Sequence, residues 1–358
     1  MKTVLKLVRF LLTRSVSLLI TVTIAVYLTV FLANWGGQLD EARRNNILFA
    51  VTMQFTDNPV YQAMPREEVN KLIQARYEQE IKRLGLDKPF LVRSFIYLGN
   101  AMTLNLGRSE HMSSDSGSRQ VKDVLLERVP TTLLLIGTTM LINFFLSLYL
   151  GLVLSRRYGS LMDKLTVALA PISSAPAWLY GIFLILLFAA VLKWLPWGGM
   201  VDAPPPADKL SYALSVMKHM ILPTLAMLIS TLFASVYARR TFFLIYSNED
   251  YIDLARAKGL SPRALERRYI LRPTLPPIVT QFILILISMW MGATVLETVF
   301  RWPGVGRLFY EAINLSDTPV IVGTVVIFGY LLALSVLLLD FVYAALDPRV
   351  RLSSGGAR

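Results

Sequence analysis

Six long apolar runs divide the chain, near residues 15–34, 131–155, 165–192, 220–238, 278–300 and 319–346. A helix needs about 20 apolar residues to cross a bilayer, and each run reaches that length. The pattern predicts an all-α integral membrane protein with six transmembrane helices. Two polar interruptions are too large for simple turns: a long segment over 35–130 and an island over 239–277, between the fourth and fifth runs. The expected organisation is a tail and first span (1–34), a partly helical segment (35–130), a core of five spans carrying the island (131–352), and a flexible tail (353–358).

The interruptions have their own patterns. In the first, Val69, Leu72, Ile73, Tyr77, Ile81 and Leu84 recur at helical spacing and Gly85 stops the run. Residues 65–84 therefore read as an amphipathic helix whose apolar face lies on protein or on the membrane surface. Residues 57–128 are too many for a simple connection and are expected to pack as a helical cap over the outer mouth of the spans. In the island, Asp253-Leu-Ala-Arg-Ala-Lys-Gly259 reads as a short helix with Gly259 just past its end, where the left-handed conformation favours glycine. Ser261-Pro262 opens a second helix, with Ser as N-cap and Pro at the first helical position. The island is thus a helix–Gly–helix elbow held against the membrane.

The third run is interrupted by Pro171, Ser173, Ser174 and Pro176. A break inside a membrane is tolerated only where protein or a water-filled cavity meets the freed backbone groups. The run either lines a pathway or is a kink that improves packing. Glu297 and Asp340 are the acidic residues nearest the hydrocarbon, where charge is costly and often functional. Both fall near span ends, where pairing within the bundle or reaching to water would also accommodate them.

Composition places the chain in the same class: 54% hydrophobic residues and a mean hydropathy of +0.53 exceed an ordinary soluble domain. A net charge of +12 raises the question of nucleic acid, but its placement argues for a membrane instead. Lys and Arg gather in the N-terminal tail, the Arg156-Arg157 turn, the island, and Arg349 and Arg351. Six crossings put all of these on one side, so both termini are expected in the cytoplasm. Segment 35–130 then lies outside, and loops beyond about 60 residues escape the charge rule. The first run follows Lys2, Lys6, Arg9 and Arg14 as a signal peptide would, yet no small-residue cleavage site follows, so it reads as a retained span. There is no cysteine, and His111 and His219 are isolated in sequence, so no metal site is expected.

Catalytic motifs are absent from the sequence: no G-x-x-x-x-G-K-[ST], no H-E-x-x-H and no G-x-S-x-G. Nor is there an inverted repeat or a set of intramembrane charges of the kind that marks ion-coupled secondary transporters. Energy for transport would have to come from another polypeptide.

Asp250-Tyr251, Ala255-Arg256-Ala257-Lys258-Gly259-Leu260 and Leu275-Pro276-Pro277 resemble the EAA loop of ABC-importer permeases, and specifically the dipeptide/oligopeptide family. The stretch from Ala293 to Leu308 resembles that family's outer end of the fifth span, and Asp340-Phe-Val-Tyr-Ala-Ala-Leu-Asp-Pro-Arg349 its closing signature. Asn105 departs from the family by standing where an acidic residue is usual, and Trp35-Gly-Gly-Gln-Leu-Asp40 replaces a Pro-Gly-Asp-Pro-like stretch.

The resemblance implies a type I importer permease fold in the inner membrane of a bacterium or archaeon. It implies that the elbow is a coupling helix docking in a groove of a separate ATPase. The residues carried over to that role are Glu249, Asp250, Tyr251, Asp253, Ala255, Arg256, Ala257, Lys258, Gly259, Leu260 and Ser261, with the small Ala255 and Ala257 allowing close approach. Ser173, Ser174, Pro176, Glu297 and Asp340 are the pathway candidates. Implied partners are a second, homologous permease, two cytoplasmic ATPase subunits that bind ATP and Mg, and an extracytoplasmic solute-binding protein. No cofactor is expected on this chain. Peptides are the implied cargo, and relatives carry oligosaccharides, nickel chelates or glutathione.

Overall fold

The computed structural model describes residues 2–35, 38–56, 61, 64–289 and 293–346. In chain order the helices begin with α1 (Lys2–Trp35), α2 (Gln38–Thr56), α3 (Arg66–Arg83) and α4 (Phe90–Met102). There follow α5 (Val121–Arg156), α6 (Leu161–Ser174), α7 (Ala177–Val191) and α8 (Lys209–Ser247). The remainder are α9 (Asp250–Ala257), α10 (Pro262–Leu286), α11 (Thr294–Val299), α12 (Val305–Asn314) and α13 (Thr318–Leu346). Among the described residues the sole β feature is an isolated bridge between Arg108 and Gln120.

Among the described residues, five helices are long and apolar enough to cross a membrane: α1, α5, α8, α10 and α13. The predicted third span is not one rod. α6 and α7 meet at 97°, and they make a sixth crossing if the pair is taken as one broken span. The cause is local, because Pro176 has no N–H and pushes Ala175 into an extended conformation (φ −84°, ψ 143°). The fourth span, expected over 220–238, extends to Lys209–Ser247 because Asp208 caps its start, accepting from the Ser211 N–H at 2.9 Å. The fifth, expected over 278–300, does not reach that far: the described helix has ended by 289 and Glu297 lies on the separate α11.

The chain divides into two compact units. In the first (1–124, 315–333 and 344–358), Val22 and Val26 of α1, Ala101 of α4 and Val326 of α13 form the core, flanked by Tyr97 and Tyr330. The expected amphipathic helix forms as α3, with Glu67 and Glu68 in its first turn, Lys82 and Arg83 in its last, and Gly85 beyond it at φ +69°. Of its apolar stripe, Ile81 alone is buried, and Leu72 and Leu84 are exposed. The preceding α2 was not anticipated. The start of α13 is tied down by Asp317, whose buried carboxylate accepts from the Ser109 hydroxyl and from the N–H groups of Glu110 (3.0 Å) and His111 (2.9 Å).

The second unit (125–314 and 334–343) is organised by α8. Phe144, Phe243 and Ile278 bring α5, α8 and α10 together, while Leu222, Ala226, Leu296 and Phe300 pack beside α7. Gly151 marks a close approach of α5 to α8: a Cβ there would lie 2.5 Å from that of Arg239 and 3.0 Å from its carbonyl carbon. The flexible tail proposed for 353–358 and the end of the Asp340–Arg349 signature lie outside the described residues.

Candidate coupling site

The elbow forms from local signals. Glu249, extended at φ −75° and ψ 142°, precedes α9, and Asp250 and Asp253 place negative charge in its first turn, where the helix dipole favours it. At the other end the Gly259 N–H bonds to the Arg256 carbonyl (2.9 Å) and the Leu260 N–H to that of Ala255 (3.3 Å). This is the paired closure of a Schellman motif, and Gly259 supplies its left-handed residue at φ +78°. Ser261 then caps α10, accepting from the Ala264 N–H at 3.4 Å, with Pro262 at the first helical position.

α9 has two faces. Ile252 and Ala255 are buried within the chain, whereas Glu249, Asp250, Tyr251, Asp253, Leu254, Arg256, Ala257, Lys258, Gly259 and Ser261 are exposed and Leu260 is half-buried. The small size of Ala255 therefore serves the chain's own packing, and Ala257 is the small residue on the outward side. Leu254, 59% exposed, is the outward apolar residue that sequence reasoning passed over. Its signal was available: it sits three residues after Tyr251, so both occupy one face of the helix. Desolvation raises the Tyr251 phenol above its ordinary pKa, and the Glu249 carboxylate adds to the shift. The Asp253–Arg256 pair is exposed on both sides and adds at most about 1 kcal/mol.

Two consecutive arginines hold the base of α8, ahead of the elbow. The largely buried Arg239 donates to Gln281 of α10, and its guanidinium lies 4.8 Å from the centre of the Phe144 ring. Arg240 makes a two-point contact with Asp163 at the start of α6: Nε to Oδ1 at 2.7 Å and Nη2 to Oδ2 at 2.7 Å. Asp163 also accepts from the Gly159 N–H (2.9 Å), while its own N–H meets the Ser160 cap. Arg240 further lies over the Tyr158 ring, 4.9 Å from its centre. The pair is enclosed, with side chains 3% and 12% exposed for Asp163 and Arg240, so removing one partner costs about 3–5 kcal/mol. Beyond the elbow, Glu266 accepts from Arg156, an ion pair exposed over 53% of the arginine side chain.

The pathway candidates fall at different places. At the α6–α7 bend, Ser174 and Pro176 are exposed and Ser173 is half-buried. Carbonyls freed by the bend are met by protein, with Ser230 donating to that of Ala175 (2.8 Å) and Tyr180 to that of Ile172, and Ser173 accepts from the Ala234 N–H of α8 (3.2 Å). Glu297 has no exposed surface. Its Oε2 accepts from the Arg307 N–H (2.9 Å) in the first turn of α12 and its Oε1 from the Thr132 hydroxyl (3.1 Å). Thr132 in turn accepts from the Val305 N–H (2.7 Å). The carboxylate thus caps α12 in this conformation, and Gly304 is required beside it because a Cβ there would strike both Glu297 and Thr132. Asp340 is half-buried on α13.

The sequence profile of the binding-protein-dependent transport system inner membrane component family matches residues 128–352, which include the elbow and its supports. The chain belongs to that family. It is a multi-pass permease of an ABC importer, with the type I importer permease fold, and it works with solute-binding and ATPase partners. Among relatives, a di/tripeptide transport system permease protein of Pseudomonas aeruginosa is 32% identical, over 85% of this chain and 93% of its own. A dipeptide transport system permease protein of Bacillus subtilis is 31% identical, over 81% and 86%. A glutathione transport system permease protein of Shigella flexneri is 33% identical, over 75% and 82%.

Proposed function

We propose that this permease forms the translocation pathway for short peptides. It pairs with a second, homologous permease, is driven by two cytoplasmic ATPase subunits that bind ATP and Mg, and receives cargo from an extracytoplasmic binding protein. The gathering of Lys and Arg in the N-terminal tail, the Arg156-Arg157 turn and the island supports both termini facing the cytoplasm. The observation that carries the reading is α9: a short helix whose buried face is satisfied within the chain while Tyr251 and Leu254 project outward beside Asp253 and Lys258. An exposed amphipathic helix on a rigid two-helix elbow is suited to seating in a partner's groove. Peptide cargo is supported by the di/tripeptide and dipeptide permeases among the relatives, and glutathione is itself a small peptide.

The test is uptake of labelled dipeptide and tripeptide into proteoliposomes holding the full importer, with glutathione, an oligosaccharide and a nickel chelate as competitors. ATP-dependent peptide uptake that requires the binding protein is expected. Uptake of a non-peptide solute alone refutes the cargo, and transport by this polypeptide without any ATPase refutes the coupling role of α9.

A further inference from the structure

We propose that the turn over 156–163 receives the motion of the elbow, with Asp163 as the positioning residue on the elbow's leading flank and Arg156–Glu266 as a latch on its trailing flank. This rests on the reading above that α9 docks on an ATPase.

The chain approaches the elbow along the last turns of α8, which carry Arg240, and leaves it through Glu266, and both residues reach back to this one turn. The two grips differ in kind. Asp163 and Arg240 meet through two parallel hydrogen bonds of 2.7 Å, nearly enclosed, and Asp163 is further held by Gly159 and by the capped start of α6. Two-point contacts between guanidinium and carboxylate fix orientation as well as distance, and opening this one would strand a charge away from water. Arg156 and Glu266 meet at a single nitrogen–oxygen contact, with more than half of the arginine side chain in solvent. Water competes for such a pair, so it opens and closes at little cost.

A force on α9 therefore turns the elbow about a fixed point at Arg240 while the Glu266 flank parts from or joins Arg156. Coupling between distant sites requires an element with two discrete arrangements, and the latch provides one. The turn joins α5 to α6, so what happens at the elbow is passed to both helices, including the bent α6–α7 pair.

The experiment uses the complete importer in proteoliposomes, measuring peptide uptake, ATP hydrolysis and retention of the ATPase on this chain. Asp163→Asn should retain the ATPase yet lower uptake per ATP hydrolysed by about tenfold, within the usual range of coupling between sites. Asp163→Glu, which keeps the carboxylate, should retain much of that ratio. The latch is tested separately. Because this sequence has no cysteine, Arg156→Cys with Glu266→Cys is the one pair within this chain that a short thiol-reactive cross-linker joins. Cross-linking should abolish uptake, and cleaving the linker should restore it.

An unchanged uptake-to-hydrolysis ratio in Asp163→Asn overturns the proposal. So does loss of both activities in proportion to lost protein, with no recovery in Asp163→Glu. Uptake by the cross-linked protein at the unmodified rate overturns it as well, and needs no folded Asp163 variant. If the wild-type chain neither retains an ATPase nor moves peptide, the underlying reading fails instead.

Discussion

Replacing Gly259 separates the demands of the chain from those of its partner. Gly259 holds φ +78°, and a Cβ built there has no atom within 4 Å. Within this chain a substitution therefore meets backbone strain and no clash. An L-residue in the left-handed region costs about 1–2 kcal/mol. Asparagine is among the side chains that visit the region routinely, so its cost is smaller. β-branched valine lies at the upper end of strained backbone, about 3 kcal/mol, or roughly a 100-fold shift in the local equilibrium. That strain is confined to a short helix and its turn, since the spans share none of the affected hydrogen bonds. Gly259→Val should reach the membrane within about twofold of wild type, because insertion depends on the apolar helices. Its ATPase should be detached or no longer stimulated by loaded binding protein, with uptake down by tenfold or more at that strain. Gly259→Asn adds bulk at little conformational cost, so its defect reports the partner's contact with the turn. Uptake in proteoliposomes at matched protein density, beside ATPase co-purification, is the assay. Wild-type uptake by Gly259→Val refutes the coupling role, and wild-type uptake by Gly259→Asn alone refutes contact at the turn while leaving the strain argument standing.

Two further outcomes concern the buried carboxylates. Glu297→Ala leaves the Arg307 N–H and the Thr132 hydroxyl without their partner, which should destabilise the α11–α12 connection by about 2–4 kcal/mol; new tryptic cleavage at Arg301 or Arg307 should report it, and an unchanged digest contradicts the capping role. Asp317→Ala removes the acceptor shared by Ser109, Glu110 and His111, at about 1–3 kcal/mol; amide hydrogen exchange at Glu110, His111 and the first turn of α13 should quicken while the middle of α13 stays protected, and unchanged exchange at Glu110 and His111 contradicts the clamp.

The features legible in the sequence are those whose causes are local. Apolar length marks the spans, the period of Val69 to Ile81 marks α3, and Gly259 with Ser261-Pro262 marks the elbow, because hydropathy, turn conformation and helix capping act within a few residues. Even the break at Pro176 was visible, though not its angle of 97°, which depends on the partners that Ser230 and Tyr180 provide for the freed carbonyls. Other features were decided by residues far apart in the chain. Which side of α9 faces inward rests on its burial against the rest of its unit, and that reversed the expected role of Ala255 and brought Leu254 to the outside. Glu297 read as an acid near hydrocarbon, and became a helix cap through Thr132 and Arg307. Arg240 read as one basic residue among many in the island. Only folding brings it to Asp163, 77 residues earlier, where geometry and exclusion of water give the pair an importance that neither residue has alone.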